Sequence, residues 1–326
     1  MTRFDWAAVF LGAAFTGGLY LDGWAHTHGR VDDTFFTPWH AVLYSGFLAM
    51  ALLLIGRAAW GFRRAGGWRG AMPRGYGLGL VGVGCWFVGG PFDSVWHSIF
   101  GFEASVEALM SPAHAILALG IGLMASGPLR AGLQRPSDRW RDKLAIALSM
   151  TFVVSNLTFF TQIAHPVANL WASSYAPMSE EGRELGITGL LLTAVLLTAP
   201  LLFLLRWNRL PSGGVTILVG LNTAAMGFLF DRGAYPRGVV LAMIVGAVLA
   251  DLLRVWLRPS VASPRAFRVF AVAQPVLLYA SYFATLGATS GLAWSTHLWL
   301  GVVVFAGVIG WLLSYLVLAP RVAPEP

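Results

Sequence analysis

Apolar residues in this chain come in long runs, broken by short polar stretches. Each run is near twenty residues, the length of a helix that crosses the hydrocarbon core of a bilayer. The runs predict ten spans, at about 5–22, 38–58, 76–97, 112–128, 144–165, 186–205, 213–231, 238–257, 267–289 and 295–318. The longest gap is about twenty residues, so no soluble domain fits between spans. The first run lacks a strongly basic leader and is followed by ligand-type residues, so it reads as a span and not as a signal peptide. The expected fold is all-α: a polytopic integral membrane protein forming a single transmembrane domain over 1–326.

Composition agrees. Apolar residues make up 57% of the chain and charged ones 11%, against about 25% charged in a soluble domain. The basic residues then orient the spans. Eighteen of 22 fall in the loops after even-numbered spans or at the two ends, among them Arg57, Arg63, Arg64, Arg130, Arg139, Lys143, Arg206 and Arg254. That side is expected to be the cytoplasm, with both termini on it. The net charge of +7 is thereby explained as topology and contact with anionic lipid, with no nucleic-acid partner implied.

In this orientation all seven histidines lie at the extracytoplasmic ends of spans or in outer loops: His26, His28, His40, His97, His114, His165 and His297. Ten of the 15 acids share that side, against four bases, an asymmetry that attracts cations. The lone cysteine, Cys85, sits mid-span as a buried thiol. One cysteine rules out both an internal disulfide and a thiolate-rich metal site.

Four of the histidines belong to a pattern that occurs twice. The first copy reads Asp22-Gly-Trp-Ala-His26, then Thr37-Pro38-Trp39-His40. The second reads Asp93-Ser-Val-Trp-His97, then Ser111-Pro112-Ala113-His114. Asp and His four apart share one helix face. Ser or Thr followed by Pro opens the next helix as N-cap and first helical residue. Each hairpin thus brings Asp, His and His to one point. The metal-ligand candidates are Asp22, His26 and His40, then Asp93, His97 and His114. Asp22 and Asp93 are 71 residues apart, and both hairpins run the same way. They are expected to be tandem parallel repeats, 5–60 and 76–128, related about the membrane normal, with the remaining spans over 144–318. Glu103 and Glu107 are candidate partners for the second pair of imidazoles.

Other features read more plainly. His28, His165 and His297, each without an Asp four residues earlier, read as interfacial residues. Trp24, Trp39, Trp96, Trp171, Trp294 and Trp299 read as an aromatic belt. The glycines of the third span form a small-residue packing stripe.

The first copy, together with Arg30-Val-Asp32-Asp33-Thr34-Phe35-Phe36 between its halves, resembles a metal-binding segment of the copper membrane monooxygenases, the particulate methane and ammonia monooxygenase family, over about twenty residues. Those enzymes oxidise methane, ammonia or short hydrocarbons, and they carry this segment in one of their membrane subunits. The resemblance implies Asp22, His26 and His40 as copper ligands, an apolar pocket shaped by Phe35, Phe36 and Trp39, and further membrane subunits or a homo-oligomer as partners.

On the residues themselves, two imidazoles and one carboxylate suit copper(II), with zinc or iron as alternatives, and leave coordination positions open. The absence of histidine on the inner side argues against a pair of haems conducting across the bilayer. Asp251 alone near the inner half of a span leaves a translocation path few stepping stones. The leading expectation is a membrane metalloprotein with extracytoplasmic His/Asp sites, performing or serving copper-dependent oxidation of a small apolar substrate. The alternatives are a non-enzymatic protein that binds, senses or transports metal, and a structural membrane protein with interfacial histidines.

Overall fold

The structure, a computed structural model, describes residues 1–30, 37–68, 70–101, 109–176, 179–231 and 237–318. Among these residues there is no β-strand, only two isolated bridges, Ser173 with Leu292 and Ser260 with Ser263. The helices form two compact units. The first comprises Met1–Gln162 with Phe228–Arg232, the second Ile163–Gly227 with Gly233–Pro326.

The first unit holds α1 (Arg3–Thr27), α2 (Pro38–Ala65), α3 (Gly77–Phe100), α4 (Pro112–Ala125), α5 (Gly127–Leu133) and α6 (Trp140–Phe160). The expected caps are present. Thr37 accepts from the His40 amide and Ser111 from the His114 amide, each at 3.1 Å, with proline opening both helices. Helices in lipid gain little from hydrophobic attraction to one another, so they associate by close packing at small residues. The α1–α2 hairpin shows this reciprocally. A Cβ on Gly18 would lie 2.8 Å from the Leu43 Cα, and one on Gly46 would lie 2.9 Å from the Phe15 Cα. The hairpin of α3 and α4 repeats the device: a Cβ on Gly82 would meet the Gly120 carbonyl at 2.7 Å.

A test follows directly. Gly18→Val must push α1 off α2, at about 1–3 kcal/mol for overpacking. Gly17→Val, one residue along and with nothing within 4 Å of its Cβ position, should be tolerated. Equal thermal midpoints for the two variants in detergent would contradict this account of the hairpin.

At the opposite end of the unit from the helix ends that carry His26 and His40, the buried Asp5 carboxylate ties three segments together. It accepts from the Tyr76 hydroxyl at 2.9 Å, from Arg135 at 2.6 Å, and from its own capping partner Thr2. An ionised group at that depth is sustained by satisfying its oxygens in this way.

The second unit holds α7 (Glu180–Arg206), a π-helical segment Thr216–Gly220 leading into α8 (Leu221–Leu229), whose last two residues belong to the first unit, then α9 (Arg237–Leu257), α10 (Pro264–Thr289) and α11 (Thr296–Val317). Buried polar pairs join its helices. Thr198 donates to Gln274 at 2.8 Å, and Asp251 accepts from the Thr216 amide and hydroxyl at 2.7 and 2.8 Å. His165, in the segment ahead of α7, is also buried here.

Eight described helices are long and apolar enough to cross a membrane, nine if the bent pair α4–α5 counts as one span. The chain is a helical, multi-pass membrane protein by this measure. The count differs from the ten expected at two places. The span expected at 112–128 is broken by a 40° bend between Ala125 and Gly127, at a Ser-Gly-Pro sequence where proline removes a helix donor. The segment expected at 213–231 contains only a shorter apolar helix, Thr216–Leu229, and starts in π geometry.

Candidate metal centre

The two sequence motifs become two side-chain clusters. Asp22 and His26 lie one turn apart near the end of α1, and His40 enters from the first turn of α2. Asp93 and His97 lie one turn apart near the end of α3, and His114 enters from the first turn of α4. Within each trio, one ligand atom per residue lies within 4.8 Å of the others.

The separations are informative. His26 Nε2 is 3.8 Å and His40 Nε2 3.5 Å from the Asp22 carboxylate, while His97 Nε2 is 3.5 Å and His114 Nε2 3.4 Å from that of Asp93. Direct hydrogen bonds would be about 2.7–3.2 Å. Two ligands held about 2.1 Å from a common ion, at angles of about 109–130°, are instead about 3.4–3.8 Å from each other. The side chains therefore surround a point more than they bind one another. The carboxylates agree: Oδ1 of Asp22 and Oδ1 of Asp93 are buried with no hydrogen-bond partner. An orphaned, buried carboxylate oxygen is a costly arrangement unless a cation fills it.

The second trio also shows how its imidazoles are aimed. His97 Nδ1 donates to the Gly101 carbonyl at 3.1 Å, and His114 Nδ1 meets the Ser111 hydroxyl at 2.9 Å. Both bonds occupy Nδ1 and turn Nε2 toward Asp93, the orienting device common around ligating imidazoles. Ser111 thus has two tasks, capping α4 through the His114 amide and holding the ring of the same residue. The second trio is the more enclosed: the Asp93 side chain is 6% exposed, whereas the His26 side chain is 43% exposed and opens the first trio to solvent.

The two trios lie within one electrostatic neighbourhood. The Asp22 carboxylate lies within electrostatic reach of Asp93, and His26 within that of the second trio's imidazoles. Tyr44, one turn beyond His40, stands in the field of both carboxylates, Asp93 foremost. Sequence reasoning passed over this residue. Its four-residue spacing from His40 was the available signal.

The remaining sequence candidates fall elsewhere. Glu103, Glu107, Asp32, Asp33, Phe35 and Phe36 lie outside the described residues. Trp39 packs edge-on against Trp24, with centroids 5.8 Å apart. His28 is used structurally, with its ring nitrogens on the carbonyls of Trp24 and Asp231. His165 is buried in the second unit, where its Nδ1 accepts from the Val167 amide at 3.2 Å. His297 lies beside Glu180, Arg183 and Glu184 in an open surface depression. Among the described residues, only the two trios group three or more such side chains in metal-holding proximity.

No family model, curated protein or solved structure matches the chain. What defines the protein is therefore its own architecture: a multi-pass helical membrane protein in which two helical hairpins each gather an Asp and two His residues able to hold a metal ion.

Proposed function

We propose that this protein is a membrane metalloprotein binding two transition-metal ions, one on Asp22, His26 and His40 and one on Asp93, His97 and His114. The observation that carries the reading is the pair of buried, unpartnered carboxylate oxygens: Asp93 Oδ1 is faced by the Nε2 atoms of His97 and His114, and Asp22 Oδ1 by that of His40, with His26 Nε2 on the other oxygen of Asp22, all at ligand-to-ligand spacing. The matching chemistry of the two hairpins supports an origin as tandem repeats. The arginine asymmetry supports an extracytoplasmic position for both sites.

Copper is the ion we propose first. The ligand set of two imidazoles and one carboxylate suits it, and the first trio lies in the segment that resembles the copper membrane monooxygenases. Bound there, copper would supply redox chemistry toward a small apolar substrate. The chain's own residues contribute the rest. The carboxylate offsets the ion's charge, the imidazoles fix its position, and Ser111 and the Gly101 carbonyl keep two rings aimed. Three protein ligands leave room for a further one. The openness of the first trio at His26 favours a second reading, in which the protein captures or hands on metal without catalysis.

Elemental analysis of the full chain, purified in detergent and exposed to copper, tests the binding. We expect close to two ions per chain, falling to about one in Asp93→Asn with the first trio still occupied. A metal content no higher than that of a chain lacking all four histidines would sink the proposal. Oxygen-dependent turnover of short hydrocarbons or ammonia by the loaded protein then separates oxidation from metal handling.

A further inference from the structure

Among the described residues, Tyr44 is a side chain through which the two hairpins meet near their metal-holding ends. Its ring stands edge-on to His40, with centroids 6.3 Å apart and planes at 86°. It also stands against Trp86 of α3, at 5.5 Å and 69°. Its hydroxyl lies directly over the α3 backbone: a Cβ built on Gly90 would be 3.2 Å from the phenol oxygen. Gly90 is buried and sits one turn before Asp93 on the same helix. The phenol therefore touches the ring of a first-trio ligand at one side and the helix that supplies two second-trio ligands at the other. The carboxylates of both trios act on it.

We propose that Tyr44 is a positioning residue that joins the two trios into one two-ion centre, seating His40 against α3 in a niche that a Cβ at position 90 would crowd. This rests on the metal-binding reading given above. Aromatic packing restricts His40 to rotations compatible with the phenol. Any shift of α3 at Gly90, including one set by an ion on Asp93 and His97, is felt at His40 through the same ring. Packed contacts of this kind transmit small displacements because the interior is not freely deformable.

The niche makes the proposal testable by suppression. The full chain is prepared with His97→Ala and His114→Ala, so that cobalt(II) reports on the first trio alone through its visible d–d bands. Gly90→Ala is then added. The new Cβ presses on the phenol oxygen, and we expect affinity for cobalt at the first trio to fall about tenfold, a typical cost of disturbing an orienting neighbour, with a shift of the bands. Adding Tyr44→Phe removes the oxygen that the Cβ meets and keeps the ring. Affinity should return to within about twofold, with the bands restored. Tyr44→Leu, which removes the ring and adds no bulk at position 90, should weaken and shift the first trio on its own.

Rescue by Tyr44→Phe is the decisive outcome, because a merely structural lesion at Gly90 would persist beside phenylalanine. Unchanged binding and bands in both Gly90→Ala and Tyr44→Leu, or a Gly90→Ala defect that Tyr44→Phe leaves in place, overturns the role of Tyr44. Absence of cobalt binding in this chain and also in one carrying His26→Ala and His40→Ala instead overturns the metal-binding reading itself.

Discussion

Replacing His26 and His40 together with alanine should remove one bound ion per chain and leave the other in place. The expected loss is complete because Asp22 would remain alone, and a single carboxylate does not retain a transition-metal ion against water. The variant should stay folded. The α1–α2 hairpin is held by the close approaches at Gly18 and Gly46, each more than one helical turn from these two residues along its helix. His40 contributes to its helix start through its backbone amide, which alanine also supplies to Thr37. The helix cap therefore survives the loss of the ring. Removal of His97 and His114 should mirror the result at the other trio, again with the Ser111 cap retained. The contrast is His165→Ala with His297→Ala, which should leave both ions bound. Metal analysis of the purified variants reads each case. Loss of metal in the His165 variant, with retention in the His26 and His40 variant, would place the site in the second unit and refute the hairpin assignment.

The degree to which the sequence foretold this arrangement differs by level. Asp-x3-His at the end of one helix and [Ser/Thr]-Pro-x-His at the start of the next are local signals. Each is fixed by helix geometry and capping, and the connecting loop has only to bring the two together. The clusters were legible for that reason. The ends of spans were legible where Thr37-Pro38 and Ser111-Pro112 mark them. Less legible was the bend near Ser126-Gly127-Pro128: apolar periodicity continues across it, and hydropathy does not register a lost helix donor. The π geometry at Thr216–Gly220 is equally invisible to a hydropathy window. The position of Tyr44 depends on which face of α2 meets α3. That is a matter of tertiary packing at Gly90 and Trp86; the four-residue spacing puts Tyr44 on the face of His40 but does not reveal that α3 meets it there.

His165 gives an expected result in the second unit that is independent of metal. Its imidazole is buried to 1% exposure, and burial pushes its pKa down to about 3, with the Asn222 side chain opposing the shift. The cause is visible in the contacts. Nδ1 accepts the Val167 amide, so its lone pair is committed, and a second ring proton would have to displace that bond in a site with little water. The sign of the linkage follows. In the unfolded chain imidazole takes up a proton near pH 6.5, whereas in the folded chain His165 stays neutral down to about 3. Between those values the unfolded state binds the extra proton, so stability is full above about 6.5 and declines as pH falls through the window. At pH 5 the loss from this one group is about 2 kcal/mol. His165→Asn, which keeps a side-chain oxygen in reach of the Val167 amide but cannot titrate, should be less stable than wild type at pH 7.5 and lose less on acidification. Thermal midpoints of both proteins in detergent at pH 7.5 and pH 5 give the comparison. Parallel acid losses in the two proteins would show that His165 is not the group that titrates.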